Sequence, residues 1–138
     1  MAYVLDVAYR HDQEPRHLRS REDVDAFVEE LLALGPAYNA ATAYVVEEGS
    51  DDLPDHELLI GANATTGFGS ARYSGEAGTW YVQGEHTKPG NVSFAYFGTE
   101  HEFPADAEVP LDLVREVLWG LLENRGGRPA GQNWVETD

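Results

Sequence analysis

Short β-like segments separated by glycine-containing turns fill the middle of the chain, and this pattern constrains its fold most. We predict strands at residues 41–47, 56–62, 68–73, 79–83 and 92–97. The breaks between them are short and suit antiparallel hairpins rather than helical crossovers. Residues 3–9 have a similar β-rich composition, and Trp134 and Val135 fit a short last strand.

Two amphipathic stripes flank this region. The first predicts a helix over residues 20–34, capped by Ser20, with one apolar face made of Val24, Phe27, Val28, Leu31 and Leu32. The second predicts a helix over residues 110–124 that begins at Pro110. The sequence therefore predicts an α+β fold, with a single antiparallel sheet of five to seven strands and both helices on one face. The strands at 79–83 and 92–97 are apolar on both faces, so we expect them to be central.

Composition narrows the class of protein. The chain has 138 residues, which predicts one domain over 1–138, and it has no cysteine, which removes disulfides and Cys-ligated metals. Nine Lys and Arg against 25 Asp and Glu give a net charge of −16. A field of that sign disfavours binding to nucleic acid or to anionic membranes and favours a basic partner. The N-terminus lacks the pattern of a secretion signal, so we expect a cytoplasmic protein.

Catalytic and metal-binding motifs are weak. His56, His86 and His101 each have acidic neighbours, but their spacing matches no zinc site on one helix. No nucleotide-binding glycine loop or nucleophile motif is present. We therefore predict no catalytic residue, no metal at these histidines and no cofactor.

Two acidic clusters are more informative. One lies between two predicted strands and includes Glu48, Asp51, Asp52, Asp55 and Glu57; the other includes Glu100 and Glu102. Such a density of like charge costs self-repulsion unless a cation or a basic surface relieves it. A solvated loop, a docking surface for a basic protein and a calcium loop are the alternatives, although the spacing is not that of an EF-hand.

Tryptophans supply a further signal. Trp80 lies in a predicted central strand next to Tyr81, so alternation places the two rings on opposite faces. Trp134 lies close to the C-terminus of the given chain. We expect both tryptophans to be structural parts of the core; the alternative is that they anchor an interface.

The chain resembles the type-one immunity proteins of bacterial polymorphic toxin systems, which are common in actinobacteria. The resembling features run in order along nearly the whole chain: the helix start at Asp23-Val24-Asp25, then Asp55-His56-Glu57-Leu58, Gly78-Thr79-Trp80-Tyr81, Glu102-Phe103-Pro104, Val109-Pro110, and Gly127-Arg128-Pro129 before Trp134. The resemblance implies a small α+β cytoplasmic protein, with no catalytic residues, that binds a toxin domain and blocks it. The toxins of such systems are often nucleic-acid deaminases or nucleases.

We therefore predict a non-enzymatic immunity protein that binds a basic toxin domain through its two acidic clusters. The alternative is an accessory protein of a biosynthetic gene cluster that holds a small molecule in a pocket lined by Tyr81, Phe94 and Tyr96. A third reading is an enzyme that uses His–Glu chemistry.

Overall fold

Two helices combine with ten short strands in the residues that the computed structural model describes, namely 3–9, 14–35, 38–49, 54–84, 90–96 and 98–137. The helices are α1 (Arg21–Leu32) and α2 (Leu111–Glu123). The strands are β1 (Tyr3–Ala8), β2 (Arg16–Leu18), β3 (Ala40–Glu47), β4 (Glu57–Asn63), β5 (Phe68–Gly75), β6 (Gly78–Val82), β7 (Asn91–Tyr96), β8 (Thr99–Pro104), β9 (Val109–Pro110) and β10 (Trp134–Thr137). The predicted α+β class is confirmed.

The main sheet is larger than predicted. Eight strands form it in the order β10-β6-β5-β4-β3-β1-β2, and β9 pairs with the start of β5. Every pairing is antiparallel, and short turns connect β4 to β5 and β5 to β6, as expected for hairpins. The prediction of five to seven strands missed β2 and β9, which have only three and two residues.

A second sheet corrects the prediction of a single one. Strands β7 and β8 form a separate two-stranded hairpin, so β7 is not a central strand of the main sheet. The apolar side chains of the hairpin pack against one face of the main sheet, where Phe94 and Phe103 form a small core with Ala40 and Leu59. We call the sheet face that carries this hairpin the hairpin face, and the opposite face the helix face.

The helix face holds the larger core. Both helices contribute the apolar stripes expected from the sequence, including Phe27 and Leu118, to a cluster with alternate residues of β1, β3, β4 and β5. Ser20 caps α1 as predicted, since its Oγ accepts a hydrogen bond of 3.1 Å from the Asp23 backbone N–H. Neither helix in the described ranges combines the length and apolarity that crossing a membrane requires.

The hairpin sits close to the main sheet because β4 carries a glycine at the contact. A Cβ at Gly61 would lie 2.2 Å from the Cγ of Phe94, well inside van der Waals contact. Phe94 also meets Phe103 edge to face, with ring centroids 5.4 Å apart. Gly61 therefore lets an aromatic ring rest on the sheet backbone, and this contact fixes the position of the hairpin.

Candidate acidic interface

The outward surface of the hairpin is acidic. His101 and Phe103 of β8 lie on the same face of the hairpin as Phe94 of β7, which is the face turned toward the main sheet. Because side chains alternate along a strand, Glu100 and Glu102 lie on the opposite, outward face. Both glutamates are exposed, and no described cation forms an ion pair with either. We call Glu100 and Glu102 the acidic strip.

The other acidic cluster is divided by the fold. Asp55 is exposed, with 77% of its side chain accessible. Glu48 pairs with Arg19 at 2.7 Å, so a cation of the chain itself already meets its charge. Glu57 is half-buried on the hairpin face. Asp51 and Asp52 lie outside the described residues.

Glu57 belongs to a row of polar side chains that the sequence did not reveal. This polar row crosses the hairpin face at one level of the sheet and consists of His17, Asp6, Tyr44, Glu57, Ser74 and Thr79. Tyr44 donates a hydrogen bond of 2.6 Å from its hydroxyl to Glu57 Oε2. On the other side of Glu57, Arg72 approaches its Oε1 at 4.0 Å. Glu57 therefore has both a phenol donor and a cation beside it, whereas Glu102 of the acidic strip accepts one hydrogen bond of 3.4 Å, from the Asn91 side-chain amide.

Burial and charge shift two groups of the polar row. Burial is the main reason that the pKa of the Tyr44 phenol is raised, and the hydrogen bond and charge of Glu57 add to it. Burial likewise raises the pKa of Asp6, while His17, 3.8 Å away, acts in the opposite direction. At neutral pH, Tyr44 is thus a neutral donor that satisfies Glu57.

Helix-side carboxylates are paired to a much greater extent. Arg115 of α2 forms ion pairs with Asp25 at 3.4 Å, with Glu29 at 2.7 Å and with Asp112 at 3.1 Å. Arg21 of α1 reaches Glu116 of α2 at 2.8 Å, so the two helices are also tied electrostatically. Further arginines on this side stack on aromatic rings: Arg125 over Tyr3 and Arg128 over Trp80.

His56 has a structural role in the described chain. Its Nε2 accepts a hydrogen bond of 2.9 Å from the Val45 backbone N–H, which assigns the proton to Nδ1, 3.2 Å from Asp55 Oδ1. The ring is buried and stacks against Tyr73, whose hydroxyl donates to the Gly126 carbonyl at 2.7 Å. Both nitrogens are engaged, so His56 joins strands to the loop after α2.

The described residues contain no group of three or more His, Asp and Glu side chains able to hold a metal ion. His101 is half-buried on the inward face of β8, opposite Phe94. His86 lies outside the described residues.

Trp80 and Trp134 border the larger core on the helix face, and both are half-buried. The indole Nε1 of Trp134 donates a hydrogen bond of 2.8 Å to the Pro129 carbonyl. Tyr81 lies on the hairpin face, opposite Trp80 as alternation predicts, and its ring meets Phe103 at 5.5 Å.

The aromatics considered for a ligand pocket pack against each other instead. Phe94 is 3% exposed and fills the small core, while Tyr81 and Tyr96 pack against that core. Tyr81 and Phe94 each contact Phe103 edge to face, so these rings are part of the packing that holds the hairpin on the sheet.

Comparison with known families gives a match over most of the chain. A family model described as Immunity protein Imm1 matches residues 12–136. No curated protein matches the sequence. The matched range spans both helices, strands β2 to β9 and nearly all of β10. The chain belongs to the Imm1 immunity protein family.

Proposed function

We propose that this chain is a non-enzymatic inhibitor that binds a toxin domain stoichiometrically in the cytoplasm of an actinobacterial cell with a polymorphic toxin system. Its acidic surface covers the basic cleft with which the toxin, a deaminase or nuclease, holds nucleic acid. The family supports a toxin as partner. The net charge of −16 supports a basic one.

The proposed binding surface is supported by the acidic strip, whose two exposed carboxylates form no ion pair within the described part of the chain. Glu100 and Glu102 project from a hairpin whose inner face is fixed by Phe94 and Phe103. Because the backbone of this hairpin is already fixed, a partner does not have to order a loop when it binds, which lowers the entropic cost of association. We extend the proposed surface to the other acidic cluster, which adds Asp51, Asp52 and Asp55. Glu48 and Glu57 of that cluster also belong to it, although Glu48 is paired with Arg19 and Glu57 accepts a hydrogen bond from Tyr44.

Binding kinetics test the proposal. The toxin domain encoded beside this chain, in an inactive form, is titrated against the wild type and a Glu100→Lys/Glu102→Lys variant. At low salt, where the Debye length is about 30 Å, we expect the association rate of the variant to fall at least about tenfold. The deficit shrinks at physiological salt, where the Debye length is about 8 Å.

A matched control separates local from global charge. Glu22→Lys/Glu123→Lys makes the same change in net charge on exposed positions of α1 and α2. We expect it to slow association much less. Absence of wild-type binding to the toxin contradicts the immunity function, whereas equal effects of the two double variants contradict the choice of surface.

A further inference from the structure

The two edges of the main sheet differ in their readiness to accept another strand. Edge strand β2 has three residues, and its Arg16 is engaged by Glu30 and by the Phe27 ring. Edge strand β10 has four residues, and its Val135 is 47% exposed. Short, charged edges discourage strand addition, and longer apolar ones permit it. Of the two edges of the main sheet, β10 is therefore the better candidate.

The ladder between β10 and β6 shows which backbone groups face outward. Gln83 donates its N–H to the Asn133 carbonyl at 2.8 Å, and Asn133 lies opposite Gln83 in register. In an antiparallel pair, hydrogen-bonded residues alternate with residues whose N–H and C=O point the other way. Val135 therefore bonds to β6, and the backbone groups of Trp134 and Glu136 point away from the sheet.

A pocket of about 340 Å³ opens beside this edge on the hairpin face. Tyr81, Pro104 and Val135 give it apolar walls, and Asp106 and Glu136 are its charged lining residues. The Glu136 carboxylate reaches back toward Gly78, where an added Cβ would lie 3.2 Å from Oε2. Asp106 is thus the acid best placed for a cation entering the pocket.

The shape and charge of this region define its occupant. We propose that the outer edge of β10 accepts an extended segment of the toxin as an added strand. The backbone of that segment bonds to Trp134 and Glu136. Its residue opposite Val135 is a Lys or Arg whose stem packs on Tyr81 and Pro104. This inference rests on the proposed function.

Charge complementarity favours this occupant over a second copy of the chain. Pairing two β10 edges would bring together two molecules that each carry a net charge of −16, with Glu136 on both strands. A cationic segment of a toxin would instead meet the carboxylates that line the pocket, Asp106 and Glu136. Pro104 shares the outward face of β8 with Glu102 and Glu100, so the pocket leads directly into the acidic strip.

Proline substitution gives a sharp test. Glu136→Pro removes an outward N–H without removing a bond to β6, and proline is tolerated at a sheet edge. The control, Glu136→Ala, removes the same carboxylate and keeps the N–H. We expect the proline variant to bind the inactive toxin domain at least about tenfold more weakly than the alanine variant, with a similar melting temperature.

Two further measurements keep the inference testable if Glu136→Pro folds poorly. Amide exchange of Trp134 and Glu136 in the wild-type protein should slow on toxin binding, and Asp106→Asn should weaken binding several-fold. If the wild type binds the toxin but exchange at both amides is unchanged, the added strand is overturned and the proposed function stays intact. The same holds if the wild type binds and both Glu136 variants have equal affinity. No wild-type binding removes both. A dimer of the free chain that Glu136→Pro dissociates assigns the edge to a second copy and overturns the inference.

Discussion

The two faces of the main sheet differ in the size of their cores and in how their surface charges are paired. On the helix face, a broad core is enclosed by α1 and α2, and Arg115 and Arg21 pair with the nearby carboxylates. On the hairpin face, a small aromatic core holds β7 and β8, and the acidic strip above it has no described ionic partner. Charge that is paired stabilises the fold, while charge that is left unpaired on a rigid support remains available to another molecule.

Removing the inner aromatic of the hairpin is the strongest way to break this contrast. Phe103 is fully buried, so Phe103→Ala should lower the free energy of unfolding by about 3–5 kcal/mol. Chemical denaturation measures the loss, and amide exchange should accelerate more in β7 and β8 than in β4 and β5. Uniform acceleration would show that the hairpin has no packing of its own.

Trp134→Ala tests the border of the helix-face core. Because Trp134 is only half-buried, the expected loss is about 2–3 kcal/mol, below that of a fully buried aromatic. Trp134→Phe keeps most of the ring and loses the hydrogen bond to Pro129, which should cost about 1 kcal/mol. An unchanged melting temperature for the alanine variant would instead make Trp134 an interface residue.

Removing charge from each face in turn compares how much the charged side chains of the two faces contribute to stability. Arg115→Ala leaves Asp25, Glu29 and Asp112 without their shared cation, so we expect a loss of about 1 kcal/mol. Glu100→Gln/Glu102→Gln should change stability by less than about 0.5 kcal/mol. Thermal unfolding in matched buffers measures both. A larger loss from the glutamine pair would mean that the acidic strip stabilises the fold.

Asp6 allows a smaller test through pH. The pKa of Asp6 is raised in the folded chain, so ionising its carboxyl group lowers the free energy of unfolding. This loss of stability is complete above the folded-state pKa and absent below the unfolded-state pKa. Asp6→Asn should therefore stabilise the protein slightly at pH 7, by less than about 0.5 kcal/mol given its exposure, and not at about pH 3. Denaturant midpoints at both pH values measure the difference; stabilisation only at the lower pH would contradict it.

Local patterns predicted the elements that carry their own periodicity. The apolar stripe through Val24 and Phe27 gave α1 and its cap, and turn spacing gave the strands from β3 to β7 and β10 close to their observed bounds. The sequence does not predict strand β8, because Glu100 and Glu102 alternate with only one large apolar residue, Phe103. Its strand character depends on pairing with β7, which periodicity along β8 alone does not show.

The candidate site was harder to predict, because it depends on register. The sequence shows acids near residue 57, but it does not show that Tyr44 holds Glu57 or that Arg19 meets Glu48. Both contacts join residues on different strands or loops. In the sequence, Glu100 and Glu102 are marked only by their charge, and their outward direction follows from the inward packing of Phe103.

The alternation along β8 has a consequence for how such a protein changes over time. Positions 101 and 103 face the sheet and are constrained by packing, while positions 100 and 102 face solvent. Substitutions at the outer pair leave the inner pair undisturbed. Under the proposed function, substitutions at positions 100 and 102 would change partner preference while the packing of positions 101 and 103, and with it the scaffold, stays the same.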